Sequence, residues 1–467
     1  MSCSLFLFFL LLSVVPVRAQ AVHTYQTSPD LTQRLARKRT IHFSRHAGSG
    51  RGPTITVDDS QRFQTMDGFG ASITDAAGWL LEEKLAAVQR EQVMTDLFDP
   101  RHGIGLSFLR QPIGSTDLSR YHFSFDDIPA GQADPTLEHF SVAPNEKDIF
   151  PAIREALKLN PAISVLLTPW SPPAWMKTKG SMDGGRLREE FMAAYAAYLT
   201  RSVQGFEAAR IPVKFLSVQN EPLNETRDYP GTVLPAEQAA QLIGQDLGPD
   251  LRKAGLKTMV LAYDHNWDHP EYPETILADK AAAQYVAGSA LHCYGGDVTA
   301  QNEIHAMFPD KGIWMTECSG GTWDKEPALV KTARLLIEST RNWAKSVVLW
   351  GVALDAQHGP HDGGCGTCRP LVEIDTKQSP ARISYTGDFY GLAHASRFVT
   401  PGAVRVASTS FGRDALETVA FQNIDGTLAL LVLNNSSSSS PCHVAWHDRT
   451  FTAEVPGGSL TTFVWKP

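Results

Sequence analysis

No stretch of this chain carries a long run of basic residues, and its formal net charge is −8. That excludes the electrostatic footprint of a nucleic-acid binder or of a protein held on an anionic membrane surface. Long apolar runs are missing as well. The N-terminal one, residues 5–15, falls well short of the roughly 20 residues needed to cross a bilayer core, so no stable membrane span is expected. Cysteine is scarce, with six in 467 residues, which rules out a small disulfide-stapled scaffold. No glycine-rich phosphate fingerprint follows the first strand, which removes the main signal for a dinucleotide site. No internal repeat stands out, which argues against solenoids and propellers.

What remains is an ordinary globular composition, 43% hydrophobic and 20% charged, with ten tryptophans of the kind that sugar-binding clefts use as flat faces. Residues 5–15, followed by Pro16 and by Ala19-Gln20-Ala21, have the length and small-residue ending of a cleaved signal peptide, here drawn as 1–21. The segment before it, Met1 to Ser4, lacks Lys and Arg, and a short membrane anchor is the competing reading. A secreted or periplasmic protein is expected. Cleavage would remove Cys3 and leave Cys293, Cys318, Cys365, Cys368 and Cys442, an odd number that requires a free thiol or an intermolecular pair. Residues 22–53 are polar and basic and read as a flexible lead-in.

From residue 54 a rhythm sets in. Apolar strand-like runs alternate with amphipathic helical segments, about eight units over some 300 residues, the size and order of a (β/α)8 TIM barrel. This α/β barrel is placed at 54–400, with 54–65 available to pair with the β-domain that follows it. A doubly wound sheet is the structural alternative, disfavoured by the missing fingerprint. Beyond residue 400 the helices stop. Short strands separated by Gly-, Ser- and Asn-rich turns predict an all-β sandwich domain at 401–467, built mainly from the C-terminus.

Two of the strand-like runs end alike. Phe215-Leu216-Ser217-Val218-Gln219 runs into Asn220-Glu221-Pro222, and Ile313-Trp314-Met315-Thr316 runs into Glu317. Barrel enzymes keep their chemistry at the C-terminal ends of strands. Two carboxylates there could divide hydrolysis, one as acid and one as nucleophile or base. Two structural glutamates are the bland alternative.

At Asn220-Glu221-Pro222 the chain resembles barrel glycosidases, and more widely it is similar to glycoside hydrolase family 30, the glucosylceramidase-related family. The likeness runs through Asp67-Gly68-Phe69-Gly70, Leu109-Arg110-Gln111-Pro112, Pro169-Trp170-Ser171-Pro172-Pro173, His292-Cys293-Tyr294, the Glu317 stretch and Leu349-Trp350, in the family's order. The resemblance implies Glu221 as acid/base and Glu317 as nucleophile. It implies Asp75, Trp170, Asn220 and Trp350 as sugar binders, with His292, Tyr294 and Arg110 around the acidic centre. Taken singly, Asp75 is also a good helix cap, Trp350 a core residue and His292 a structural histidine. The resemblance implies no cofactor and no metal.

Between His358 and Cys368 lie two histidines and a Cys-x-x-Cys spacing, ligand types that suit zinc. In an exported chain a Cys365–Cys368 disulfide stiffening the loop is the preferred expectation. The chain departs from animal glucosylceramidases in carrying Cys293 where they have Trp. The expected function is a secreted retaining β-glycosidase, glucosylceramidase-like, acting on a β-glucoside, glycolipid or glucan. The alternatives are a β-1,6-glucanase or another β-oligosaccharide hydrolase of the same family, and a carbohydrate-binding protein on an inactive barrel.

Overall fold

The computed structural model describes residues 20–45 and 52–467. Most of the segment read as a signal peptide, and the Gly-rich stretch 46–51, lie outside the described residues. Eight parallel strands close into a barrel: β1 (Gly68–Ser72), β2 (Phe108–Ile113), β3 (Ser164–Pro169), β4 (Phe215–Ser217), β5 (Met259–Asn266), β6 (Val286–His292), β7 (Gly312–Glu317) and β8 (Ala344–Gly351), which pairs back to β1. Side chains alternate along each strand between the barrel interior and the helix layer. Seven strands send Phe108, Leu166, Phe215, Leu261, Ala290, Trp314 and Val348 inward, and these form one closed cluster. They plug the barrel, so the chemistry is left to the rim above them. At the matching point β1 has Gly70, where a Cβ would lie 1.6 Å from the Phe108 carbonyl oxygen. Only glycine fits that approach of β1 to β2.

Helices cover the outside. Ala328–Arg341 shows why, burying Leu329, Val330, Ala333, Leu336, Ile337 and Thr340 at three- and four-residue spacing. The segment after Asp75 is not one continuous helix: Asp75–Trp79 runs into a wide turn at Leu80–Lys84, and a new helix spans Ala87–Phe98. Thr74, not Asp75, caps the first of these, its side chain accepting from the Ala77 N–H. After β8 the chain builds a small sheet of Ala353–Asp355, Val372–Asp375 and Arg382–Tyr385, then the helix Gly387–Ser396. These strands are three or four residues long, too short to show a period.

The appended domain is a ten-stranded sheet, nearly all antiparallel. Residues from both ends of the strand order, Val22, Trp446, Phe451 and Trp465 among them, share one core, so the sheet folds over on itself. Four strands come from the N-terminal side, the short Ala36–Arg37 and Ile41–His42 and two longer ones. Thr54–Thr65 pairs with Val404–Ser408 and Ser440–Trp446. Ala21–Thr27 pairs along its whole length with the last strand, Leu460–Trp465. The expectation of a flexible lead-in over 22–53 is thereby corrected. Its alternating Val22, Thr24 and Gln26 are buried, a period-two pattern that the polar composition hid.

Candidate active site

The C-terminal ends of the barrel strands surround a cavity of about 690 Å³. Glu221, Glu317, Asn220, Trp170, Trp350 and Tyr294 all line it. Asn220 and Glu221 are adjacent and would leave a regular strand on opposite faces. Both face the cavity because Glu221 has a φ of 46°, in the left-handed region. Its N–H bonds to the Asp264 carbonyl at 3.0 Å, which holds that turn.

Glu317 ends β7. Its Oε2 accepts from Arg110 at 2.6 Å and its Oε1 from the Tyr294 hydroxyl at 2.8 Å. Arg110 is fully buried beneath the cavity instead of lining it, and it also donates to Asn220 Oδ1 at 2.6 Å and Asp264 Oδ2 at 2.9 Å. Arg110 therefore fixes the Asn220 amide, leaving its Nδ2 as the group that faces a ligand. The Trp170 and Trp350 rings stack at 4.7 Å, with the Arg110 guanidinium 4.7 Å from the Trp170 centroid.

His292 is also fully buried, with Nδ1 3.2 Å from Glu221 Oε1 and Nε2 3.0 Å from Asp264 Oδ1. Asp264 is a functional residue that the sequence reading missed. It is the extra residue of a bulge in β5, where Tyr263 pairs with Ala290 and His265 with Leu291. Tyr263 and Asp264 both have positive φ, and the turn drives the carboxylate inward to Arg110, His292, Thr316 and Thr168. Burial disfavours its charge, but Arg110 and His292 outweigh burial and hold it well below the usual carboxylate range.

Both nitrogens of His292 thus face carboxylate oxygens. With Asp264 ionised, Nε2 carries a proton, and one further proton lies between Nδ1 and Glu221. Burial works against charge on His292, but Glu317, Asp264 and Glu221 raise it to about 9. The same proton seen from Glu221 gives the opposite shift: burial raises its carboxyl, yet His292 brings it down to about 2. Burial raises Glu317 against the pull of His292 and Arg110. The two glutamates titrate as a pair, and the proton between Glu221 and His292 rests on the ring.

Asp75 is not at the cavity. Both of its oxygens are taken by Arg120, which also pairs with Asp148. Asp117, from the loop after β2, does line the cavity, and its Oδ2 accepts from the Cys365 N–H at 3.3 Å. Burial, with the charge of Glu317, pushes its carboxyl up to about 7. Its Oδ1 is buried without a protein partner. Asn224, part of an Asn-x-Thr glycosylation sequon, donates to Glu221 Oε2 and to Tyr229 at 3.0 Å each, so its amide nitrogen serves the site.

Cys365 and Cys368 form a disulfide on the cavity rim. His358 and His361 turn to the carbonyls of Cys368 and Gly363. A second disulfide, Cys293–Cys318, was not anticipated, and among the described residues Cys442 is the free thiol, buried in the β-domain. One donor atom each from Glu221, His292 and Glu317 lies within 4.8 Å of the others. Such a trio could also hold a metal, but Arg110 already supplies the positive charge against Glu317.

Fold and site together define a barrel hydrolase with a paired-carboxylate centre. The glycosyl hydrolase family 30 TIM-barrel domain matches residues 66–399, and that family's beta sandwich domain matches residues 402–463. The chain belongs to glycosyl hydrolase family 30. An endo-1,6-β-D-glucanase of Trichoderma harzianum is 31% identical over 437 residues, covering 88% of this chain and 86% of its own length. The lysosomal acid glucosylceramidase of Mus musculus is 26% identical over 481 residues, covering 97% and 91%. The solved structure of an endo-β1,6-glucanase is similar with a TM-score of 0.87 at 33% identity, covering 96% of this chain and 99% of that one.

Proposed function

We propose that the protein is a retaining β-glycosidase that cleaves β-1,6-glucan. The observation that carries the retaining chemistry is the spacing of the pair. Oxygens of Glu221 and Glu317 come within 4.8 Å, on the retaining side of the roughly 5–5.5 Å against 6.5–9.5 Å division. Glu317, with two donors on its oxygens, attacks the anomeric carbon. As that bond forms, the bond to the leaving oxygen breaks and Glu221 gives that oxygen its proton. Water then adds to the glycosyl-enzyme, returning a proton to Glu221 and freeing the Glu317 carboxylate. Substrate in the cleft excludes water, which favours the neutral form of Glu221 and draws the shared proton over from His292. Asn220 Nδ2 donates to the sugar 2-oxygen, and Asp117 accepts from sugar hydroxyls.

The leaving-group side supports a sugar over the ceramide expected from the sequence. Asn224, Asp228, Asn266 and the Tyr229 hydroxyl line it, with Trp323, 49% exposed, as a flat face. Hydroxyl-bearing rings use both features, whereas acyl chains call for a broad apolar groove. The 31–33% identity to three fungal endo-1,6-β-D-glucanases points the same way. Two disulfides and the leader-like N-terminus support an exported enzyme.

The test is a panel of β-1,6-glucan, glucosylceramide, aryl β-glucoside and aryl β-xyloside, with the product anomer read by NMR. We expect β-1,6-glucan to have the highest kcat/KM and the first-formed product to be the β-anomer. Preference for glucosylceramide would overturn the substrate, and an α-anomer would overturn the mechanism.

A further inference from the structure

We infer that the Cys293–Cys318 disulfide is a positioning device for the nucleophile, holding the Tyr294 hydroxyl on Glu317. The inference rests on Glu317 being the nucleophile. Cys293 lies between His292 and Tyr294, and Cys318 directly follows Glu317. The bond therefore ties the backbone that carries two site residues to the backbone that carries a third, with Cα atoms 5.3 Å apart.

It sits where the sheet stops holding them. Pairing of β6 with β7 shifts register after Leu291 and ends at His292 opposite Glu317. Beyond it both chains run at once into a glycine pair, Gly295-Gly296 after Tyr294 and Gly320-Gly321 after Ser319. Gly296 has a φ of 79°, open to glycine and costly to other residues. The disulfide thus ties the two chains at the point where β6–β7 pairing ends, beyond which the Gly320 carbonyl accepts from the Arg369 N–H and the Gly321 N–H donates to Asp324.

Tyr294 needs such a tie. Its residue surface is 44% exposed, yet its hydroxyl must stay 2.8 Å from Glu317 Oε1. Its N–H bond to Asn266 Oδ1 restrains it toward β5, not toward β7. Cys318, by contrast, is buried, and Cys293 packs on the main core, so the sulfur bridge refers Tyr294 to the rigid part of the barrel.

The experiment compares Cys293→Ala/Cys318→Ala, Tyr294→Phe and the combination on an aryl β-glucoside across pH. A hydrogen bond to a carboxylate lowers its pKa, so losing the Tyr294 donor raises that of Glu317. The acid limb of kcat/KM should then move up by about one pH unit in either variant, with kcat falling about tenfold. The combination should move it no further than Tyr294→Phe alone. An unmoved acid limb in the disulfide-free enzyme, whatever its loss of melting temperature, overturns the inference, and so do additive shifts. Should the double alanine variant not fold, TCEP treatment of folded Cys365→Ala/Cys368→Ala enzyme gives the same comparison, because only Cys293–Cys318 then remains to be reduced. Full turnover by Glu317→Gln would instead overturn the nucleophile reading itself, whereas an inactive Glu317→Gln beside silent disulfide variants rejects the positioning role alone.

Discussion

Two residues decide what the two glutamates can do, and both act through a proton. His292 faces Glu221 on one side and Asp264 on the other, so the proton Glu221 must deliver is held against a ring raised to about 9. The group is charged below that pH and loses its proton as pH rises through it. Activity should therefore hold across neutral pH and fall on a basic limb near 9, and His292→Asn should bring that limb down. A pH profile of kcat/KM checks both, and an unchanged basic limb in the variant would reject the shared proton. Glu221→Ala should cost roughly 10²–10⁴ in kcat on glucan and much less on an activated aryl glucoside. Azide should then restore turnover and yield a β-glycosyl azide, and an α-azide product would remove Glu221 as acid/base. At this scale Glu221, Glu317 and Asn220 are legible because each ends an apolar strand, whereas Trp170 and Trp350 come from the family resemblance. Asp117 and Asp264 are not legible. Asp117 stands in a loop without periodicity, and Asp264 follows the point where the apolar run of β5 stops. The family resemblance implies Asp75 as a sugar binder, but Arg120, far enough along the chain to escape a local reading, occupies it.

At the scale of elements, the regular pieces were readable and the irregular ones were not. The helix Ile149–Leu159 is legible because its apolar face repeats cleanly and Asn160 ends it. The end of β5 is not legible, because the bulge that makes the site breaks alternation after Tyr263 while the strand runs on to Asn266. Leu428–Asn434 read as a strand but not as one buried on both faces. Leu428, Leu430 and Val432 enter the β-domain core, while Ala429, Leu431 and Leu433 join the core of the barrel. A strand with one wet face would tolerate truncation at alternate positions. Here Leu430→Ala and Leu431→Ala should each cost about 2–5 kcal/mol, measured by urea denaturation. A small loss at either position would show that face to be loosely packed.

For the whole molecule, that shared core makes the two domains one folding unit. Arg341, at the end of a barrel helix, reinforces the joint by donating to the carbonyls of Ser408 and Thr418. His394 is its titratable centre. It lies fully buried in the helix Gly387–Ser396, with Nε2 2.8 Å from Thr27 Oγ1 and Nδ1 2.8 Å from Thr462 Oγ1, two residues of the β-domain sheet. One neutral ring thus joins the barrel side to the first and last strands of the chain. Burial pushes its pKa down from 6.5 to about 3. The unfolded chain then binds a proton that the folded protein refuses. Its contribution is complete above pH 6.5 and is lost as pH falls toward 3, at about 1.4 kcal/mol per unit. Carboxylates add slopes of their own, so the comparison must be between slopes. His394→Gln, which cannot titrate, should be less stable at pH 7 but lose less on acidification from 6.5 to 4. Parallel stability curves for the two proteins would mean that His394 is charged in the fold, and that the joint between barrel and sheet is open to water.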